Sequence, residues 1–184
     1  MTSETVGAGD RRLEVLDAAL HTFARFGYRK TAMDEVAKQA RISRPGLYFL
    51  FSSKSGLFRA AAERGIELDL AAAELALAES GLPLGERIVE AFDCWAGRYV
   101  GPLHDTTALI ADNPGLVGPI AIAGPARFER LITDALTPTR SPAESIVVAR
   151  TLISVSIGIK HQSTNREEYR YRMTDAVRLL VPAG

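Results

Sequence analysis

The sequence predicts an all-α protein with a three-helix, helix-turn-helix domain over residues 1–56 and a helical bundle over 57–184, about nine helices in total. Three observations carry this. Apolar residues recur at steps of three and four nearly everywhere, and strand-like alternation is almost absent. Short periodic stretches separated by Gly27 and by Arg41-Ile42-Ser43 crowd the first ~50 residues, the size of a helix-turn-helix. Residues 143–160 are apolar nearly all round, which demands burial on several sides.

The elements follow in order. Leu13, Leu16, Leu20 and Phe23 stripe a first helix that Gly27 stops. Thr31 opens a second helix, Asp34 completes a capping box, and Val36, Ala37 and Ala40 form its apolar face. Ser43 caps a third helix with Pro45 in its first turn and Leu47 and Phe51 inward. A long fourth helix carries Leu57, Ala61, Gly65, Leu68, Ala72 and Leu75 on one face and ends at Gly81-Leu82-Pro83. A fifth spans 84–100 with Ile88, Phe92 and Trp95. Nine Gly and Pro residues over 97–125 predict short, kinked helices, followed by a helix over about 126–136 and a loop from Thr137 to Pro142. After the apolar 143–160 helix, a last one follows Asn165, with Tyr169, Met173, Val177 and Leu180 recurring at steps of four, four and three.

Composition narrows the function classes. With 184 residues, 47% hydrophobic and 24% charged, the chain can bury a core and is not broadly disordered. One cysteine excludes an intrachain disulfide and any multi-cysteine metal site. No secretory signal is visible, and the apolar tracts, broken by Arg150 or by Asp112 and Pro114, are expected to fall short of the ~18 residues a membrane span needs. A cytoplasmic protein without a membrane partner is the expectation.

The zero net charge is a sum of two unlike parts. Residues 1–60 hold ten basic and six acidic side chains, a net +4, and the remainder holds twelve and sixteen, a net −4. Such asymmetry points one end at a polyanion. A trihelical unit presents its third helix to the major groove, where polar side chains at the helix start reach base edges. Ser43, Arg44 and Tyr48 stand there, and Arg44 has the chemistry for a bidentate contact to guanine. Helix starts at Thr31, Ser43 and Ser53 offer free N–H groups to phosphates, with Lys54 adding charge at the last.

The runs LDAALHTFARFGYRKTAMDEVA (Leu16 to Ala37) and ISRPGLYFLFSSKSGLF (Ile42 to Phe58) resemble the DNA-binding domain of the tetracycline-repressor (TetR) family. Phe23, Gly27, Tyr28, Thr31, Ala37, Ser43, Leu47, Tyr48, Phe51 and Lys54 fall in register; beyond residue 60 the match is only that of a helical C-terminal domain. The resemblance implies a homodimeric repressor that leaves a palindromic operator when a small molecule enters the C-terminal domain. It makes Thr31, Ser43, Arg44, Tyr48 and Lys54 the candidate DNA contacts. Four positions depart from the family pattern: Arg41 replaces a turn glycine, Gly46 a Thr or Ala, Leu50 a His or Tyr, and Ser55-Gly56 an acidic pair.

In the second domain, Phe92, Trp95, Tyr99, His104 and Phe128 are the candidate lining for an apolar or amphipathic effector, the competing reading being ordinary core. Ile146, Leu152, Val155, Ile159, Tyr169, Met173 and Val177 are the candidate dimer contacts, two helices per subunit making a four-helix interface, with Ser154 and Gly158 permitting close approach. His21, His104 and His161 are too scattered for a metal motif, no cofactor motif is present, and a redox role for Cys94 is not readable. An activator acting through a protein partner is the alternative to a repressor. A helical enzyme using Cys94, His104 or carboxylates finds no nucleophile–base spacing, phosphate loop or paired-acid motif to support it.

Overall fold

A computed structural model describes residues 3–100 and 114–181. Among these, nine α-helices run in order: α1 (Ser3–Lys30), α2 (Met33–Gln39), α3 (Arg44–Leu50), α4 (Lys54–Ala78), α5 (Leu84–Trp95), α6 (Pro114–Val117), α7 (Ile120–Leu136), α8 (Pro142–Gln162) and α9 (Arg166–Leu180). A 3-10 turn, Gly97–Tyr99, follows α5. The residues form two compact units. One comprises the chain through Ile66 together with the described residues 114–121; the other comprises Glu67 to Val100 and Ile122 to Val181. The division falls inside α4, so that helix supplies residues to both.

The first unit is built on Val15, Leu16, Ala19 and Phe23 of α1, Val36 and Ala37 of α2, Leu47 of α3, and Leu57, Phe58 and Ala61 of α4, all buried. Phe58 meets Phe23 edge to face at 5.1 Å, and Tyr28 covers both rings. Val117 of α6 joins this core at 1% exposure, and Arg59 Nε donates to the Leu116 carbonyl at 3.1 Å. Gly27 interrupts α1 at φ 77, ψ 157, a conformation open essentially to glycine alone; it redirects the chain rather than closing the helix in the left-handed α region.

In the second unit α9 packs on α5 and α8. Tyr169, fully buried, hydrogen-bonds Ser156 of α8 at 2.7 Å and donates to the Phe92 carbonyl of α5 at 3.4 Å. Ser141 and Glu144 close a capping box on α8, and Asn165 caps α9 by accepting from the Glu168 amide at 2.9 Å.

Several elements differ from expectation. Thr31 does not cap α2: Ala32 holds that position, and the Thr31 hydroxyl, 3% exposed, donates to the Gly27 carbonyl at 2.8 Å. The inward face of α4 shifts along its length, leaving Leu68 and Leu75 exposed and burying Asp69, Leu70 and Ala73. Asp69 is tolerated inside because Arg98 pairs with it at 2.7 Å and the Tyr99 hydroxyl donates to it. Helix α5 stops at Trp95 rather than 100. A Cβ on Gly97 would lie 2.3 Å from Asp93 Oδ1 and 2.8 Å from the Tyr169 ring, so the chain there must come close without a side chain. Helix α7 begins at Ile120, six residues early, and carries Pro125 within it. Helix α8, whose apolar tract was expected to fall short of a membrane span because of Arg150, is continuous for 21 residues with mean hydropathy 1.4 in its most apolar window, and by length and composition it is long and apolar enough to cross a membrane. Arg150 lies on its exposed side and reaches Glu129 at 2.8 Å, so the charge does not break the helix.

Candidate nucleic-acid interface

Helix α3 is held from both ends and from beneath. At its start the Ser43 hydroxyl accepts from the Gly46 amide at 3.1 Å, satisfying an otherwise free donor. At its end Arg12 of α1 donates to the Leu50 carbonyl at 3.0 Å while its guanidinium stacks 4.2 Å above Phe51, a cation placed favourably at a helix C-terminus. Leu47, fully buried, pins the inner side. The opposite side carries Arg44, Pro45, Tyr48 and Phe49, all exposed.

Arg44 Nη1 sits 3.1 Å from Asp34 Oδ2 of α2, with its guanidinium 5.8 Å from the Tyr48 ring centroid. Tyr48 is 41% exposed. The turn between α2 and α3 takes Arg41 to φ 53, the left-handed region, and Arg11 of α1 donates to its carbonyl at 3.1 Å. Replacing a turn glycine has therefore not relaxed the turn; the backbone keeps a conformation that costs a residue with a Cβ ~1–2 kcal/mol.

Helix α4 begins where Ser53 Oγ accepts from the Gly56 amide at 3.1 Å. Lys54, its first residue, donates to the Arg29 carbonyl at 3.3 Å near the end of α1 and stands 4.6 Å over the Tyr28 ring. Partial burial lowers its ammonium below the ordinary 10.5. Ser43, Arg44, Tyr48 and Lys54 thus all lie on α3 or at helix starts beside it. Thr31 stands apart from them, its hydroxyl turned into the fold.

Residues 15–61 match the family described as bacterial regulatory proteins, tetR family. Over 125 residues the chain is 29% identical to an uncharacterized HTH-type transcriptional regulator, YfiR, of Bacillus subtilis, covering 67% of this chain and 51% of that one. Over 58 residues it is 41% identical to the HTH-type transcriptional activator FasR of Mycolicibacterium smegmatis, covering 32% and 26%. The aligned stretches thus span about half or less of these relatives' lengths. A crystal structure of a tetR-family regulator from Mesorhizobium loti superimposes with a TM-score of 0.76 at 18% identity over 95% of this chain and 96% of that one. Residues 15–61 are thus similar to the DNA-binding domain of tetR-family regulators, and the fold as a whole is similar to theirs.

The second unit brings three of the candidate effector residues together. Phe92 and Phe128, both essentially fully buried, meet edge to face at 5.1 Å, and Trp95 stacks flat on Phe128 at 4.9 Å. Tyr99 is not part of that stack; its hydroxyl is committed to Asp69. His104 lies outside the described residues. A cleft of about 1040 Å³ elsewhere in the second unit, between Leu82 and Val89 on one side and Arg140, Val177 and Arg178 on the other, includes none of these aromatics.

Five candidate dimer residues belong to the chain's own core: Leu152, Tyr169 and Met173 are fully buried, Val177 is 2% exposed and Ile159 6%. Intrachain packing of α9 on α8 and α5 consumes them, because their helical phase faces inward. Ile146 is open and Val155 half-buried, and the outer side of α8 adds Val147, Ser154 and Ile157, all exposed. A Cβ on Gly158 would meet nothing within 4 Å.

The sequence reading missed Arg12, Asp34 and Phe49. Phe49 was legible, because its helical phase opposes Leu47. Arg12 and Asp34 act across 38 and 10 residues, and no local pattern announces such a contact. It also missed the charge cluster of the second unit: Asp93, 1% exposed, is paired by Arg166 and by Arg170, which also holds Glu90. Burial opposes ionisation of Asp93, but the two arginines outweigh it and keep the carboxyl below its ordinary range. Cys94 beside it is pushed up by burial and by Asp93 and Glu90, the reverse of what a reactive thiolate needs.

Proposed function

We propose that this chain is a homodimeric, cytoplasmic transcriptional repressor of the tetR family that binds a palindromic operator and is released by a small apolar or amphipathic effector. The observation that carries the DNA-binding part is the outer face of α3, rigidly capped, anchored by Leu47 and presenting Arg44 and Tyr48 beside Lys54 at the start of α4. Arg44 reads a base, while Tyr48, Lys54 and the amides at the Ser43 and Ser53 caps engage phosphates. Each half-site lies about one helical turn, ~34–36 Å, from the other, so two copies are required.

The exposed side of α8, with Ile146, Val147, Ser154 and Ile157, supplies the surface for the second copy. The effector is received beside Trp95, Phe92 and Phe128, and α4, which contributes to both units, carries the response to the DNA-binding unit. Activation is the second reading, favoured by FasR being named an activator. Selection of bound sequences from random duplex DNA, sedimentation of the purified chain, and a reporter measured with and without the gene test these parts separately. No selected sequence, a monomer at micromolar concentration, or a reporter that falls on deletion would each remove the corresponding part.

A further inference from the structure

The outer face of α3 divides into two kinds of chemistry. At about 100° per residue, Arg44 and Tyr48 lie about 60° and 100° from Leu47, whereas Pro45, Phe49 and Gly46 occupy the following sector out to about 260°. Phe49 is 90% exposed, more than any other large hydrophobic side chain among the described residues. Its neighbours on that sector are a proline and a residue without a side chain, so the ring stands alone and highest. None of the three can donate or accept a hydrogen bond through its side chain.

A helix face of this composition reads base pairs only by apolar contact. The major groove offers one apolar protrusion, the 5-methyl group of thymine. Resting on the DNA-binding reading above, we infer that Phe49 is a specificity-determining residue that packs its ring against the methyl of one thymine in each half-site, beside the base contacted by Arg44. Charge favours this occupant over a protein partner: the ring stands on a helix with Arg44, after a turn containing Arg41, and in a segment of net +4 that attracts a polyanion. The arrangement explains why the α3 surface keeps a large apolar ring in water. It is covered only when the helix enters the groove.

The experiment compares full-length wild type and Phe49→Ala on duplexes obtained by selection from random DNA, with each thymine of the half-site replaced in turn by uracil. The replacement removes one methyl and leaves every hydrogen-bonding group in place. Phe49 touches no core, so the variant is expected to keep the wild-type melting curve and circular dichroism. Wild type should lose about fourfold in affinity at one thymine per half-site, the worth of one buried methyl, and Phe49→Ala should bind thymine and uracil duplexes equally at that position. Bound DNA with the same thymine-to-uracil penalties in both proteins overturns this inference alone. Absence of any selected DNA overturns the DNA-binding reading and this inference with it.

Discussion

Arg44 of α3 and Asp34 of α2 form an ion pair at 3.1 Å across the helix-turn-helix, with side chains 63% and 62% exposed. An exposed pair of this kind contributes ~0–1 kcal/mol to stability. It therefore orients the guanidinium without locking it, and a guanine edge can take over from the carboxylate at little cost. Replacing Arg44 by Ala should change unfolding free energy by less than about 1 kcal/mol but weaken operator binding by about 1–3 kcal/mol and relax preference at one base pair per half-site. Binding isotherms on a set of single-substitution operators decide this; uniform weakening on all of them makes Arg44 a phosphate contact.

Lys54 holds the end of α1 through the Arg29 carbonyl and the Tyr28 ring, so its two roles must be separated. Lys54→Ala should lower stability modestly and should reduce the slope of log affinity against log salt by about one, on specific and random DNA alike. A slope unchanged from wild type would assign Lys54 to the fold alone.

The left-handed Arg41 predicts a gain. Arg41→Gly removes a Cβ penalty of ~1–2 kcal/mol and adds an unfolded-state entropy cost of ~0.4–1 kcal/mol. A net stabilisation of about 0–1.6 kcal/mol is expected in urea unfolding, seen as a higher midpoint with the same m-value. A lower midpoint would mean that the turn is held by the arginine side chain.

Gly97 faces the opposite constraint. Gly97→Ala would drive a methyl into Asp93 and the Tyr169 ring, both fixed by the α5–α9 packing. Destabilisation of about 1–3 kcal/mol is expected from overpacking, with near-ultraviolet circular dichroism altered around Tyr169. Wild-type stability would require the 3-10 turn to move freely, against its place in the core.

Asp69 sets a pH dependence of defined sign. Burial pushes its carboxyl up to about 6 from an ordinary 3.8, against the pull of the Tyr99 hydroxyl and Arg98. The folded state therefore binds the proton more tightly than the unfolded chain does. This contribution to stability is fully present below about pH 4 and is lost as pH rises through about 6. Asp93, held low by Arg166 and Arg170, works in the other sense: its contribution is present above its ordinary range and is lost as pH falls through its folded value. Melting temperatures between pH 4 and 7 should change less steeply in Asp69→Asn than in wild type, and parallel curves would place the dependence on other groups.

The helix-turn-helix was legible because its determinants are local. The Ser43 cap and the inward Leu47 and Phe51 each act within a few residues, and the structure places them as the spacing predicts; Gly27 does break α1, though as a kink rather than as the left-handed stop expected. Thr31 was misread for the same reason: a threonine followed by Asp34 matches a cap pattern, but the sharp path after Gly27 turns its hydroxyl back onto α1. In the second unit the aromatic trio of Phe92, Trp95 and Phe128 was found by helical phase, whereas Tyr99 was drawn off by Asp69, thirty residues away.

The dimer candidates show where that limit lies. Periodicity marked Tyr169, Met173 and Val177 as one apolar stripe and put Leu152 in a helix apolar nearly all round, and all four are buried within the chain. Periodicity reports that a helix face avoids water; it does not say which surface covers it. By itself, then, the sequence determined the helical class, the position of the helix-turn-helix and the split of charge between its two ends, since these follow from local propensity, capping and composition. Only the tertiary structure decided that α9 covers the inner side of α8, that Arg12 and Asp34 hold the reading helix and its arginine, and that Phe49 is left bare. Each of those depends on contacts between residues far apart in the chain, whose pairing is set by packing.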